Sequence, residues 1–223
     1  MGFLDDLKRQ ADALKSKQTE DTATLARNAA LVEAACKTTW HYWMDLAQQL
    51  NVLLPTAPVR FSLDKVTALE GLKRRDFRVD ARRKQHRGQE VFDHVVIHAQ
   101  QTSGRKLTLN KDFPPEIERL ESRLRQAGIA AETEWIRHPD NGRLEQVRFS
   151  FIADVVLTLR LLPDHDEGKL AFQLMNLDGL ETVTATFAAF QVTSALLDQL
   201  ARGIVGEPND FLKLAESVRR VEA

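Results

Sequence analysis

The sequence predicts an α+β fold: a large, bent antiparallel sheet packed against a long N-terminal helix, with one mid-chain helix and further C-terminal helices. Three observations predict it. Residues 1–54 contain no proline and a single glycine, Gly2, which favours helix. After Pro58 the apolar residues recur at every second position, which is typical of strands. The strands follow one another through short turns, which indicates an antiparallel sheet.

The helical N-terminal segment is expected to span residues 1–54. Apolar residues recur there at steps of three and four, first from Phe3 to Leu14 and then from Leu25 to Leu54, as on one face of a helix. A polar run, 16–21, separates the two groups. Pro55 ends the helix. The pattern fits either one bent rod or a helical hairpin.

The sheet is expected to occupy residues 55–190. Alternating or β-branched stretches between turn signals predict its strands, at 59–63, 72–85, 91–101, 106–109, 129–137, 144–162, 169–175 and 180–187. The stretch 144–162 is too long for one flat strand, so we expect a bend near Ala153 and Asp154. A helix over 114–127 interrupts the strands, since two prolines open it and Gly128 closes it.

The C-terminal segment, 191–223, is predicted to be helical. One helix runs from Thr193 to Arg202 and stops at Gly203; a second runs from Pro208 to Val218, capped by Asn209 or Asp210. No Gly/Ser-rich or Pro-rich linker divides the chain, so we expect residues 1–223 to form a single α+β domain.

The composition excludes several classes of protein. Lys and Arg number 31 against 32 Asp and Glu, for a net charge of -1, so no overall field attracts a polyanion. The single cysteine, Cys36, excludes an internal disulfide and a thiolate-only metal site. The sequence has no apolar run long enough for a membrane span and no signal-peptide pattern. We therefore expect a cytoplasmic protein, and the Arg- and Ala-rich composition suggests a bacterial one.

The most unusual segment is the run Lys73–Arg87, which holds eight Lys or Arg residues and two Asp. Strict alternation on a strand places residues 74, 76, 78, 80, 82 and 84 on one charged face. Such a cluster can bind a nucleic-acid backbone, a phosphate ligand such as a phospholipid headgroup, or an acidic partner. The alternative is a solvated edge strand that its charges protect from pairing. The anion-binding candidates are Arg74, Arg75, Arg78, Arg82, Arg83 and Lys84.

Aromatic residues and histidines offer weaker signals. Trp40 and Trp43 lie in the densest aromatic cluster and are candidates for an interface between copies of the chain, although central packing against the sheet explains them equally well. His94 and His98 on a strand would share a face about 13 Å apart, too far for one metal ion. Phe149 and Phe151 are expected in the core.

The sequence contains no phosphate-binding glycine loop and no nucleophile elbow. We therefore predict no catalytic residue, metal or cofactor, and favour a non-enzymatic binding or assembly module that self-associates. Two alternatives remain: binding of a nucleic acid or phosphate ligand through residues 73–87, and a small-ligand carrier or enzyme with a cavity between sheet and helix.

Overall fold

The N-terminal segment is one continuous helix. The structure, a computed structural model, describes the backbone of residues 3–222 and the side chains of Lys8 and residues 20–221. Helix α1 spans Phe3–Leu53, about 76 Å at 1.5 Å per residue, so the chain adopts the rod and not the hairpin. The side chains of the first apolar group all lie outside the described residues. Within the part of the chain described, no helix is long and apolar enough to cross a membrane.

Over the described residues, 3–222, eleven strands form three antiparallel sheets. A six-stranded sheet has the order β11-β10-β9-β8-β4-β3, a three-stranded sheet has the order β5-β7-β6, and β1 pairs with β2. The strands are β1 (Phe61–Ser62), β2 (Ala68–Leu69), β3 (Lys73–His86), β4 (Gln89–Thr102), β5 (Lys106–Lys111), β6 (Glu132–Arg137), β7 (Leu144–Ile152), β8 (Val155–Asp164), β9 (Lys169–Met175), β10 (Glu181–Ala188) and β11 (Ser217–Glu222). The predicted α+β class with a large antiparallel sheet on an N-terminal helix is confirmed.

Among the side chains that the structure describes, two apolar cores hold these layers together. In the first, α1 presents Val32, Cys36, Trp43 and Leu50 to one face of the six-stranded sheet. In the second, helix α2 (Pro114–Ala127) and the β1–β2 hairpin pack on the three-stranded sheet. Phe149 and Phe151 are buried in this second core, as predicted. The fold therefore leaves the other face of the six-stranded sheet without a helix of its own.

The two larger sheets are joined where two neighbouring strands bend together. Strand β4 continues into β5 at Ser103 and Gly104, and β7 continues into β8 at Ala153 and Asp154, so the predicted bend is confirmed. The Asp154 carboxylate accepts hydrogen bonds from the backbone N–H of Ser103 at 2.8 Å and of Gly104 at 3.4 Å. Ser103 and Gly104 therefore carry the chain from one sheet to the next and do not close a hairpin.

The mid-chain helix is confirmed, but the C-terminal segment differs from expectation. Helix α2 ends at Gly128 with φ of 72°. Helix α3 (Ser194–Val205) begins after Thr193, whose side chain accepts from the Leu196 N–H, and continues through Gly203 to end at Gly206. The predicted stop at Gly203 is therefore wrong, since the left-handed conformation that favours glycine occurs at Gly206, with φ of 88°.

The predicted last helix, 208–218, is also wrong. Residues Phe211–Leu214 form one 3-10 turn, and β11 then pairs with β10 along its whole length. Without β11, the outer edge of β10 would leave its backbone N–H and C=O groups without partners. The gain from pairing them outweighs the helical signal of Pro208 and Asp210.

Candidate anion-binding face

A bulge in β3 divides the basic strand between two sides of the sheet. The register with β4 shifts between Arg75 and Arg78, and Asp76 adopts a φ of 56°. The backbone of Phe77, at the bulge, exchanges two hydrogen bonds with the Asn51 side chain of α1, at 2.8 and 3.0 Å. Because the alternation is interrupted there, Arg74 lies on the inner side of the sheet and not on the charged face with Arg78 that strict alternation predicts.

Arg74 is completely buried. Its Nε donates to Oε1 of Gln101 at 2.8 Å, and its two terminal nitrogens donate to the carbonyls of Leu177 and Ile204. Burial lowers the pKa of Arg74 to about 10, against the opposing effect of Asp178. Ile204 lies in the last turn of α3, where the helix dipole favours a cation. Arg74 is therefore bonded inside the protein and is not accessible to a ligand.

Three other candidates of the basic strand are exposed but have carboxylate partners. Arg75 lies 3.4 Å from Asp76, and Lys84 lies 3.2 Å from Asp93. Arg83 lies on the helix side, because a second register shift follows Arg82. There its guanidinium stacks on the Phe92 ring at 4.5 Å and faces Glu33 at 3.7 Å.

Arg78 and Arg82 lie on what we call the open face, the side of the six-stranded sheet opposite α1. Helix α2 reaches only one end of it, where Gln126 donates to Thr182. In the described chain no helix covers its middle, and Val96 is the one buried residue on it. Strand register and alternation assign to it Arg78, Asp80, Arg82, His94, Val96, His98, Thr158, Arg160, Leu162, Ala171, Gln173, Met175, Thr182, Thr184, Thr186, Ser217, Arg219 and Val221.

Four arginines of the open face have no carboxylate within 4 Å and no side-chain hydrogen bond anywhere in the described chain. One row of paired residues crosses the whole sheet, from Asp80 through Arg160 on β8 to Arg219 on β11. Strands lie about 4.8 Å apart, so Arg160 is roughly 10 Å from β3 and roughly 14 Å from β11. The four residues are Arg78, Arg82, Arg160 and Arg219.

The two histidines predicted to share a strand face do so, and both lie on the open face. His98 Nδ1 lies 3.0 Å from the Thr158 hydroxyl, and His94 Nδ1 lies 2.9 Å from an Asp93 carboxylate oxygen. Partial burial and then the nearby Arg160 lower the pKa of His98. Across the described residues no group of His, Cys, Asp and Glu side chains is arranged to hold a metal ion.

A cleft of about 430 Å³ lies between α1 and the β3–β4 hairpin, where the carrier or enzyme hypothesis expects a cavity. Its ionisable groups are bonded to one another. Glu33 accepts from the Phe92 N–H at 2.7 Å and lies 2.9 Å from Nε2 of the buried His165. The Asp166 carboxylate accepts hydrogen bonds from Nε and Nη2 of Arg87, both at 3.1 Å, and lies 3.0 Å from Nε2 of His86. The Glu33 contacts fasten α1 to the sheet, and the Asp166 contacts join the β3–β4 and β8–β9 turns.

The two tryptophans proposed for an interface are packed within the chain. Trp43 is fully buried and meets the Phe172 ring edge-on at 6.2 Å. Trp40 is half-buried, with its ring 6.3 Å from Phe92. Trp43 therefore offers no surface to a partner, and Trp40 offers only part of one.

Comparison with known proteins gives no assignment, because no protein-family model, no curated protein and no solved structure matches this chain.

Sequence reasoning missed two of the four unpaired arginines, Arg160 and Arg219. The alternation of Leu157, Leu159 and Leu161 already places Arg160 on the polar side of its strand. Nothing in the sequence shows that β8 lies two strands from β3, and Arg219 falls in the segment predicted to be helical.

Proposed function

We propose that this protein is a binding module that holds the phosphate backbone of a nucleic acid on its open face. The observation that supports this most strongly is Arg160. Charge on an edge strand prevents unwanted pairing, which explains Arg78 and Arg82. Strand β8 has neighbours on both sides, so an exposed, unpaired arginine there serves no such purpose and is free to meet an anion.

The size of the array favours a polymer. The open face crosses five strand spacings from β3 to β11, roughly 24 Å at about 4.8 Å each. A single phosphate group can contact one or two of these arginines. A polyanion contacts all of them and gains from the release of its own counterions.

The composition of the open face favours contact with the backbone over contact with the bases. No Phe, Tyr or Trp is among its residues, so it lacks the large aromatic side chains on which successive bases stack. The hydroxyl groups of Thr158, Thr182 and Thr184 are suited to phosphate oxygens. We therefore expect binding that depends on salt and has little sequence preference.

The experiment is fluorescence anisotropy with a labelled, mixed-sequence single-stranded oligonucleotide long enough to cross the sheet. The wild-type chain should bind at low salt, and Arg160→Gln should weaken the binding about fivefold through loss of one phosphate contact. The matched control is Arg202→Gln, since Arg202 is an exposed, unpaired arginine on α3, and it should bind as the wild type does.

Two results would overturn the proposal. One is an absence of binding by the folded wild-type chain at low salt. The other is equal binding by wild type and by the combined variant Arg78→Gln, Arg82→Gln, Arg160→Gln and Arg219→Gln.

A second candidate, self-association through α1, has one observation in its favour. The helix is about 76 Å long, yet Val32 is the first buried residue on it among those with described side chains. Asn28 donates to the Asp166 carbonyl, but no described side chain from Glu20 to Leu31 is buried, so this stretch of α1 has surface left to pair with a second copy. Light scattering on the full chain tests this, and a monomeric mass at high protein concentration would exclude it.

A further inference from the structure

A second cleft lies beside the second apolar core, between α2 and the loop that follows β1. Its volume is about 450 Å³, within the range of small-molecule sites. Leu63, Leu120 and Val66 form an apolar base, in which Leu63 and Leu120 are fully buried and the exposed Val66 supplies the accessible surface. Polar groups surround the base: Ser62, Asp64, Lys65, Lys111, Glu116, Arg119 and Arg123.

The two carboxylates of this cleft share one cation. Lys111 Nζ lies 2.9 Å from Asp64 and 3.5 Å from Glu116. Burial by itself raises the pKa of Asp64, but hydrogen bonds from the Thr67 and Val66 N–H groups and from Lys111 outweigh it and lower this pKa to about 2. The three groups together carry one net negative charge and are satisfied by one another.

Three further cations in the cleft have no carboxylate partner among the residues described. They are Lys65, Arg119 and Arg123, the last of which donates to the Ser62 carbonyl at 3.2 Å. Arg119 and Arg123 are one helical turn apart on α2, where like charges repel. This cleft therefore carries an excess of positive charge next to an apolar base.

We infer that the α2 cleft binds a small phosphorylated molecule with an apolar body. The guanidinium groups of Arg119 and Arg123 can take a phosphate group in paired hydrogen bonds, as arginine forks do. Lys65 adds a third positive charge from the loop, and the apolar body rests on Val66, the exposed part of the apolar base. This site shares no residue with the open face.

The test is titration calorimetry on the full chain with phenyl phosphate and with inorganic phosphate as probes. We expect saturable binding of both, with phenyl phosphate bound more tightly because only its ring reaches the apolar base. Arg119→Gln and Arg123→Gln should each weaken phenyl phosphate binding about tenfold. Arg125→Gln removes an exposed, unpaired arginine elsewhere on the same helix and should leave it unchanged.

Lys65→Gln, in the loop, is a further test that leaves α2 intact, and it should weaken binding with no change in thermal unfolding. An absence of saturable binding would overturn the inference. So would a loss of phenyl phosphate affinity in Arg125→Gln equal to the loss in Arg119→Gln or Arg123→Gln. Loss of phenyl phosphate binding in Arg160→Gln would also overturn it, because that result would show that the phosphate binds on the open face. Failure of oligonucleotide binding with phosphate binding intact would instead contradict only the proposed function.

Discussion

Nε of Arg74 donates a hydrogen bond to Oε1 of Gln101 at 2.8 Å, and both residues are completely buried. Gln101 in turn donates to the backbone carbonyl of Asn176, and the Asn176 side chain donates to the carbonyls of Gln126 and Val156. This chain of bonds links β3 and β4 to the end of α2. It therefore connects the two cores of the protein.

Removing the buried cation should destabilise the fold. Arg74→Met leaves Gln101 Oε1 and the Leu177 and Ile204 carbonyls buried without donors, which should cost about 3 kcal/mol of unfolding free energy. Urea unfolding measures this. Arg75→Met is the matched control on the exposed neighbour, and it should change stability by less than about 0.5 kcal/mol. Similar losses in the two variants would contradict this role for Arg74.

Gly128 occupies a position that only glycine fits. Its φ is 72°, and a Cβ built on it would lie 2.7 Å from Cγ2 of Val156. Gly128→Ala should therefore cost about 2 to 3 kcal/mol, the sum of backbone strain and a steric clash. Gly142→Ala serves as the control, because Gly142 has a φ of 66° with no atom near its Cβ position. Its cost should be about 1 kcal/mol, and thermal unfolding distinguishes the two.

Asp64 should make stability depend on acid pH. Its pKa is about 2 in the folded chain against an ordinary 3.8, so its contribution is fully present above 3.8 and is lost as the pH falls toward 2. The contribution is about 2 kcal/mol. The difference in stability between wild type and Asp64→Asn should therefore shrink over this interval, as followed by urea unfolding at each pH. A constant difference would show that the Asp64 charge is not the cause.

His98 should make oligonucleotide binding stronger in mild acid. Its pKa is lowered from 6.5 by burial and by Arg160, so the free protein holds it neutral at neutral pH. A bound phosphate backbone favours the protonated ring, and affinity should rise as the pH falls below 6.5. Anisotropy titrations over that range measure the rise. His98→Asn should reduce this rise in affinity. A pH profile equal to that of the wild type would show that a group other than His98 causes it.

The local elements were largely predictable because each has a signal in its own residues. Two prolines and Gly128 bound α2, and the excessive length of 144–162 indicates a bend. The cause of that bend, the Asp154 carboxylate between two strands, depends on a residue 50 positions away. β11 was missed for the same reason, since its pairing with β10 overrides the helical signals of Pro208 and Asp210.

The candidate site was only half predictable. The basic run identifies β3 by composition, but the bulge that turns Arg74 inward depends on Asn51 of α1, which no pattern within β3 reveals. Arg160 and Arg219 join Arg78 and Arg82 through strand order. Strand order follows from the packing of the whole chain and not from any local period.

The salt dependence of oligonucleotide binding tests the role of the open face most directly. On a single-stranded oligonucleotide each phosphate contact contributes about 0.7 to the slope of log K against log salt concentration. We predict that Arg160→Gln lowers the magnitude of this slope by about 0.7 and that Arg202→Gln leaves it unchanged. Identical slopes for wild type and Arg160→Gln would contradict the account.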